Sequence, residues 1–297
     1  MKLMNERNGT PELLCRGRSL VSLLIDELAY RVLTAIHKRA SQRAGGIPPM
    51  CVSSSDLITH RLMATGIFEA SQLEAIDTIV EHRLASLDRE RDTLDLFLDV
   101  GANIGIYAAR YGAKFNKTLA IEANPITFRL LSANLILNHC EKTVPLCVAA
   151  SDRVGSAKIV VRQDGNLGWS SLARHARDNG VKHFELDVAM LPLDKIVEEY
   201  AAGSRADLIK LDVEGHEAAV LEGARGLLRR DKPVVLYERS FLADGRRIDE
   251  ILLECGYSRF AVFNRRLSPR SLYLGSELVM TKFAFADVPD AALVCAY

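Results

Sequence analysis

The sequence predicts an α/β fold built around a mostly parallel sheet with helices on both faces, and three features indicate it. An apolar run at 96–100, interrupted only by Asp99, is typical of a strand that is buried on both sides. A glycine-containing turn and a helical apolar pattern at 106–111 follow this run directly. Similar apolar runs recur at 118–122, 144–149, 208–211 and 233–238. Because helical patterns alternate with these runs, the strands are expected to pair in parallel.

The turn after the first predicted strand indicates a ligand-binding loop. It contains Gly101, Asn103 and Gly105 in the pattern G-x-N-x-G. A turn between a strand and a helix brings backbone N–H groups to the carboxyl edge of a sheet, where ligands bind. A Cβ at either glycine would block a close backbone approach or an unusual φ. Asp99 ends the buried strand and needs a hydrogen bond or a ligand, so all four residues are candidates for cofactor binding.

Glu122 strengthens the prediction of a nucleotide ligand. It ends the second predicted strand about 20 residues after the turn, which is the distance expected of a carboxylate that binds a ribose. The turn does not match the G-x-G-x-x-G fingerprint of dinucleotide sites. The turn and the spaced acid together therefore predict an adenosyl-type ligand.

Four segments of the chain carry a resemblance to a known family. They read FLDVGANIGIYAA, AIEANPITFRLLSANLILN, AASD and LIKLDVEGHEAAVLEGA, in this order, between about positions 94 and 238. The set resembles the FkbM family of S-adenosylmethionine-dependent methyltransferases. The resemblance implies a class I methyltransferase (Rossmann-like) fold, S-adenosyl-L-methionine as the cofactor, and O-methylation of a sugar, glycan or secondary metabolite.

The same resemblance assigns two residues to the cofactor. Glu122 corresponds to the acid that holds the ribose hydroxyls, although Ala123 stands where family members commonly carry proline. Asp152 corresponds to the acid or amide near the adenine amine, and an ordinary turn aspartate is the alternative interpretation. The segment 166–171 contains the only tryptophan and matches a family stretch, so it either shapes an acceptor pocket or serves packing.

Acidic residues crowd the end of the predicted strand at 208–211. Like charges this close repel each other and raise one another's pKa unless a cation intervenes, and Lys210 is a candidate for that cation. Crowded acids at the tip of a parallel strand favour a functional site. A base within reach of an acceptor hydroxyl assists methyl transfer. The candidates are Asp212, Glu214, His216, Glu217 and Glu238.

Within this set we assign catalysis to Asp212 or Glu214, with His216 as a further candidate because of its intrinsic pKa. Glu217 is expected to cap the following helix or to pair with Lys210. Two carboxylates and a histidine also permit a divalent metal. Residues a few positions apart across a turn need not converge, however, so no metal site is predicted.

The first part of the chain predicts a helical extension. Helical patterns occupy about 11–43 and 72–86, and a charged segment at 88–92 links them to the first strand. The sequence therefore divides into an extension, 1–92, and a methyltransferase domain, 93–297. The extension could pack on that domain, pair two subunits into a homodimer or lie on a membrane. The modest basic content favours the first two.

Composition limits the partners and the compartment. The chain has 38 Lys and Arg against 38 Asp and Glu, so its formal net charge is zero, which argues against a nucleic-acid partner. The six cysteines form no C-x-x-C pair, so neither zinc nor disulfides are predicted, and a cytoplasmic location is expected. No apolar run approaches the ~18 residues of a membrane span.

Two other functions remain open at this point. The first is a non-catalytic nucleotide-binding or regulatory protein derived from a methyltransferase. The second is an NAD-dependent oxidoreductase, which Glu122 would also suit, although the missing G-x-G-x-x-G pattern counts against it.

Overall fold

The computed structural model describes most of the chain beyond residue 50. The described residues are 28, 31, 32, 35, 50–52, 57–65, 68–87, 92–162, 183–239, 245–266, 277–283 and 292–297. Most of the predicted helix at 11–43 and the whole tryptophan segment at 166–171 lie outside these residues.

Eight strands form the main sheet and three form a second, smaller one. In chain order the strands are β1 (Leu94–Val100), β2 (Phe115–Ile121), β3 (Thr143–Leu146), β4 (Ala149–Ser151), β5 (Gly155–Arg162), β6 (His183–Pro192), β7 (Ala206–Leu211), β8 (Val234–Arg239), β9 (Phe260–Arg266), β10 (Glu277–Phe283) and β11 (Ala292–Ala296). The main sheet has the order β10-β9-β11-β8-β7-β1-β2-β3, and the second sheet has the order β4-β6-β5.

Two α-helices precede the first strand, and six more lie in connections between strands of the described chain. They are α1 (Leu57–Thr65), α2 (Ala70–Ala85), α3 (Ile106–Tyr111), α4 (Pro125–Leu137), α5 (Leu193–Tyr200), α6 (Glu217–Glu222), α7 (Arg225–Asp231) and α8 (Gly245–Glu254). Asn124 caps the N-terminus of α4, where its side chain accepts a hydrogen bond from the Ile126 N–H at 3.0 Å.

The predicted α/β fold is confirmed. Strands β3, β2, β1, β7 and β8 pair in parallel, and helices cover both faces of the sheet. Leu96, Leu98 and Val100 of β1 pack in one core with helices α5 to α8. Phe97 points to the opposite face and packs with α1 and α2, so these helices of the N-terminal extension complete the core on that side.

The third predicted strand, 144–149, is wrong as a single element. The structure divides it into β3, which pairs with β2, and β4, which pairs with β6 of the second sheet. Val148 and Ala149 stay buried where the chain leaves the main sheet. The apolar run therefore continues across a break that hydrophobicity does not reveal.

The far edge of the sheet contains one strand that the sequence analysis missed. Strands β9 and β10 form the antiparallel pair that the resemblance to the FkbM family implies at this end of the sheet. The chain then returns as β11, which lies antiparallel between β8 and β9. Its placement depends on pairing partners thirty or more residues away in the sequence, which a local pattern does not specify.

Candidate functional site

The register of the main sheet brings the predicted site segments together. Val100 of β1 lies opposite Ile121 of β2 on one side and Leu211 of β7 on the other. The residues that directly follow these three are Gly101, Glu122 and Asp212. The glycine turn, Glu122 and the acidic residues that begin at Asp212 therefore meet at one carboxyl edge of the sheet.

A cavity opens at this edge. It encloses about 1120 Å³ including its opening to solvent. Six of the predicted site residues line it: Gly101, Asn103, Glu122, Asp212, Glu214 and His216. Asp99, Gly105 and Asp152 lie outside the lining that the described residues form.

Both glycines of the turn adopt backbone conformations that favour glycine. Gly101 has a φ of 79° and Gly105 a φ of 88°. An added Cβ at Gly101 would lie 1.7 Å from the carbonyl oxygen of Asp212, and one at Gly105 would lie 2.6 Å from Leu131 Cδ1. The sequence predicts a close backbone approach at these glycines. In the structure, the atoms that approach them belong to Asp212 and Leu131 of the protein itself.

The buried Asp99 carboxylate is hydrogen-bonded to the start of α3, the helix that follows the glycine turn. It is fully buried, and its Oδ2 accepts a hydrogen bond from the Ala108 N–H in the first turn of α3 at 3.1 Å. Its Oδ1 has no hydrogen-bond partner among the described residues. Burial raises the pKa of Asp99 to about 6, against the lowering effects of Lys210 and of the Ala108 hydrogen bond. The structure therefore places Asp99 where it fixes the loop that precedes α3.

Glu122 is held rigidly by the backbone on both sides. Its Oε2 accepts a hydrogen bond from the Asn103 N–H at 2.9 Å, and its Oε1 accepts one from the Asn124 N–H at 2.8 Å. A carboxylate has about four acceptor positions, so each oxygen retains capacity for a second donor. Burial raises the pKa of Glu122 to about 7, although both backbone hydrogen bonds act to lower it.

Lys210 links the glycine turn to the tip of β7. Its Nζ donates hydrogen bonds to Asp212 Oδ2 at 3.1 Å and to the Gly101 carbonyl oxygen at 3.3 Å. The lysine is buried. Burial alone would lower the pKa of Lys210, but Asp212, Asp99 and Glu69 together raise it above its ordinary value. This ammonium is thus the cation that the sequence analysis expected among the acids.

Glu214 occupies a strained position beside this pair. Its φ of 52° lies in the left-handed region, which few residues other than glycine adopt. Burial raises its pKa to about 7, and Asp212, Glu217, Glu238 and Glu69 add to the effect through repulsion. The structure thus provides a carboxyl group in the cavity whose pKa lies near neutral pH.

Glu217 and His216 have partners within the protein. Glu217 Oε1 accepts hydrogen bonds from the N–H groups of Val213 and Gly215 at 3.1 and 3.2 Å. Both donors precede α6, so Glu217 closes the acidic loop, and these bonds do not provide the predicted helix cap. His216 Nε2 lies 3.0 Å from Ser151 Oγ. Burial lowers the pKa of His216, which favours its neutral form.

The remaining predicted polar residues lie at the surface. Asp152 is exposed, and its Oδ1 accepts hydrogen bonds from Ser151 Oγ and Arg153 at 3.1 and 3.2 Å. Glu238 is also exposed. Among the described residues, no group of three or more histidine, cysteine, aspartate or glutamate side chains is arranged to hold a metal ion. None of the helices described is long and apolar enough to cross a lipid bilayer.

Glu69 and Tyr107 also lie at the cavity, and no pattern in the sequence points to either of them. Both line it, and the Tyr107 hydroxyl donates a short hydrogen bond to Glu69 Oε2. Glu69 precedes α2 and Tyr107 lies in α3, so no sequence spacing connects them. Only the packing of the N-terminal helices on the sheet reveals the pair.

The strand order is that of a class I methyltransferase fold, and the cavity lies at the carboxyl edge of its sheet. The chain belongs to the FkbM methyltransferase family. The Methyltransferase FkbM domain matches residues 99–259, which is more than half of the 297 residues.

Two curated relatives carry methyltransferase names. Methyltransferase sdnD of Sordaria araneosa is 28% identical over 152 residues, which cover 42% of this chain and 59% of that protein. Hexuronic acid methyltransferase AglP of Haloferax volcanii is 29% identical over 154 residues, which cover 50% of this chain and 56% of that protein. The match thus covers less than two thirds of each relative.

One solved structure is similar over most of the chain. It is the crystal structure of methyltransferase FkbM from Methylobacillus flagellatus KT, which aligns with a TM-score of 0.43 at 16% sequence identity. The alignment covers 89% of this chain and 58% of that chain.

Proposed function

We propose that this protein is an S-adenosyl-L-methionine-dependent O-methyltransferase that acts on a hydroxyl of a sugar, glycan or secondary metabolite. One observation carries the proposal: the glycine turn, Glu122 and the acids after β7 line a single cavity. The first two features suit an adenosyl group, and the third suits an acceptor that must lose a proton.

The polar groups of the cavity fit this cofactor. Glu122 is fixed by two backbone N–H groups and can still accept hydrogen bonds from the two ribose hydroxyls. Asn103 Oδ1 is buried without a hydrogen-bond partner among the described residues, as expected of an atom that serves a ligand. When bound, S-adenosyl-L-methionine supplies a methyl group on a sulfonium, which is an electrophile.

The acids after β7 have separate roles in the proposal. Glu214 takes the proton of the acceptor hydroxyl, since a base with a pKa near the working pH is the most effective. Asp212 is paired with the Lys210 ammonium and holds the strand tip in place. His216 is already within hydrogen-bond distance of Ser151, so we assign it to the cavity wall beside β4. Asp99 and Asp152 remain proposed cofactor-binding residues although neither lines the cavity. Asp99 would act by fixing the turn before α3, and Asp152 follows β4.

The name of one relative, a hexuronic acid methyltransferase, supports a sugar as the acceptor. Because a fold does not determine the acceptor, this class extends to the present chain only as a proposal.

The proposed function is tested by measuring binding and turnover together. Calorimetry with S-adenosyl-L-methionine is expected to show binding, and release of S-adenosylhomocysteine is expected with at least one glycoside or metabolite acceptor. Tight donor binding without turnover on any acceptor would favour the non-catalytic alternative. Binding of NAD in preference to the sulfonium donor would favour the oxidoreductase.

Changing Glu122 to glutamine is expected to weaken donor binding by about 10- to 100-fold, because hydrogen bonds to a charged group contribute about 1.5–3 kcal/mol. In the wild type, the donor dissociation constant is expected to rise about tenfold between pH 8 and pH 6. The reason is that protonation of Glu122, whose pKa is about 7, removes an acceptor for the ribose. Calorimetry across this pH range measures both effects.

The glutamine variant is its own control for the pH effect. Its donor affinity should no longer respond to pH in this range, because position 122 no longer titrates. An unchanged pH response in a well-folded variant would assign the titration to another group. Unchanged donor affinity would refute the assignment of Glu122 to the ribose.

We also propose that the protein is cytoplasmic and that it forms a homodimer through its N-terminal helices. Leu28 and Val32 are helical and exposed, and their spacing of four residues places them on the same side of a helix. Leu28→Asp is expected to shift the mass measured by analytical ultracentrifugation from dimer to monomer. A wild type that sediments as a monomer at micromolar concentration would contradict the dimer.

A further inference from the structure

Glu69 brings the N-terminal extension into the cavity. It lies directly before α2 with a φ of 50° and a ψ of 50°, a left-handed conformation that is uncommon outside glycine. Its neighbour Phe68 and Ile58 of α1 line the same cavity. This wall faces the glycine turn and the β7 tip, where the proposed function requires an acceptor.

Tyr107 fixes the Glu69 carboxylate from within the protein. The buried Tyr107 hydroxyl donates a short hydrogen bond to Glu69 Oε2 and lies 3.1 Å from Gln72 Oε1. The Lys210 ammonium lies 4.7 Å from the centroid of the Tyr107 ring. Glu69 is therefore connected through one tyrosine to the lysine that holds Asp212 and the Gly101 carbonyl.

The segment that carries Glu69 is attached to the catalytic domain at several points. Asn134 of α4 donates hydrogen bonds to the carbonyl oxygens of Cys51 and Ile104 at 3.1 and 2.7 Å. It thereby joins the segment before α1 to the glycine turn. In addition, the Tyr111 hydroxyl donates a hydrogen bond to the Leu73 carbonyl oxygen at 2.9 Å. These contacts make the wall a fixed part of the cavity.

Acidic side chains outnumber basic ones in this part of the cavity. Glu69, Asp212 and Glu214 line it, and the Lys210 ammonium that faces them is held by Asp212. Burial raises the pKa of Glu69, Lys210 acts to lower it, and Asp212 and Glu238 add to the rise. A further carboxylate brought by a ligand would be repelled here, whereas a hydroxyl would find an acceptor.

We propose that Glu69 is an acceptor-binding residue, which accepts a hydrogen bond from an acceptor hydroxyl and selects uncharged hydroxylated acceptors over those that carry a carboxylate. The proposal rests on the proposed function and deepens it by naming the class of acceptor. It also makes the segment around α1 and α2 part of the active site.

The test compares matched acceptors in the full-length protein. The probes are methyl glycosides of neutral hexoses, each paired with the methyl glycoside of its hexuronic acid, and the readout is S-adenosylhomocysteine release. The wild type is expected to prefer the neutral member by at least about tenfold in kcat/KM. Glu69→Gln is expected to raise the KM for the neutral acceptor about tenfold, to leave kcat within about twofold and to reduce the preference.

Two further measurements separate binding from a structural effect. Calorimetry with the neutral glycoside in the presence of S-adenosylhomocysteine should show the same loss of acceptor affinity in Glu69→Gln, with donor affinity unchanged. Glu81→Gln removes the same charge from an exposed position of α2 and should match the wild type. Glu69→Asp, which keeps the charge, should retain the discrimination against hexuronic acids.

The outcomes distinguish this proposal from the proposed function. Methyl transfer with an unchanged acceptor KM in Glu69→Gln, or equal use of both members of a pair by the wild type, overturns the role of Glu69 alone. Donor binding without product from any glycoside overturns sugars as the acceptor, and with them the role of Glu69 in selecting among sugars. Absence of donor binding overturns the proposed function itself.

Discussion

Changing Glu214 to glutamine is expected to lower kcat for methyl transfer by roughly 10²–10⁴-fold, the contribution typical of a general base. Glutamine has nearly the shape of glutamate but cannot take up the proton of an acceptor hydroxyl. Affinity for S-adenosyl-L-methionine should stay near the wild-type value, because Glu122 and the glycine turn are unchanged. Single-turnover kinetics at saturating donor, together with donor calorimetry, measures the two effects separately.

The pH profile gives the most specific evidence for this role. Glu214 must be ionised to act as a base, and its pKa is about 7. The wild-type kcat should therefore rise with pH up to about 7 and level off above it. The Glu214→Gln variant should lack this rise. A variant that keeps both its rate and its pH profile would remove Glu214 from the mechanism.

The stability of the Glu214→Gln variant gives a second, independent test of the role of Glu214. The pKa of Glu214 is raised above the value of 4.5 expected when it is exposed. The folded protein therefore binds more protons than the unfolded chain between pH 4.5 and about 7, and this group lowers stability as the pH rises through that window. Above pH 7, Glu214→Gln should melt at a higher temperature than the wild type. Loss of activity with gain of stability is the pattern expected of a functional residue held in a strained position.

Asp212→Asn serves as the contrast. Asp212 accepts a hydrogen bond from buried Lys210, and its removal leaves that ammonium without its nearest counter-charge. This variant should lose stability as well as activity, and its remaining activity should still rise with pH. Equal behaviour of the two variants would mean that the two acids act as one unit.

Local spacing was sufficient to find the centre of the site. The glycine turn, Glu122 and Asp212 each follow a strand, and strands that pair in parallel place their ends at one edge. The pairing of β1 with both β2 and β7 then brings the three segments into contact. This part of the site could be predicted because each residue is defined by its position relative to its own strand.

The residues that the sequence did not reveal depend on contacts between distant segments. Glu69 and Tyr107 are 38 positions apart, and only the packing of α2 against α3 makes them partners. Strand β11 is likewise placed by β8 and β9. Glu217 differs, because its hydrogen bonds to Val213 and Gly215 are local, but these donors precede α6 and the bonds close the loop instead of capping the helix.

Position 101 requires glycine for two reasons, of which only one is local. The local reason is its backbone φ, and the other is a contact with a distant segment. Gly101 was expected to permit an unusual φ or a close approach, and its φ of 79° agrees. The neighbour that a Cβ would meet is the backbone of Asp212, more than a hundred residues later. The same glycine therefore lets β1 and β7 approach each other at the point where both border the cavity.

Changing Gly101 to alanine is therefore expected to destabilise the fold by about 2–5 kcal/mol. A left-handed φ costs an alanine about 1–2 kcal/mol, and a clash in a packed region adds about 1–3 kcal/mol. The Cβ would lie 1.7 Å from the Asp212 carbonyl oxygen, so the tips of β1 and β7 must separate. That separation displaces Lys210 and Asp212, so donor binding should weaken together with stability. Urea denaturation measures the first effect and calorimetry the second.

Gly203→Ala is a matched control for this experiment. Gly203 has a φ of 81°, nearly that of Gly101, but an added Cβ would meet no atom within 4 Å. It should lose only the conformational part, about 1–2 kcal/mol, with donor binding unchanged. The difference between the two variants then isolates the clash between the strand tips. If both variants lose the same stability and both still bind the donor, the tips of β1 and β7 separate at little cost, and the tight contact between Gly101 and Asp212 is not what shapes the cavity.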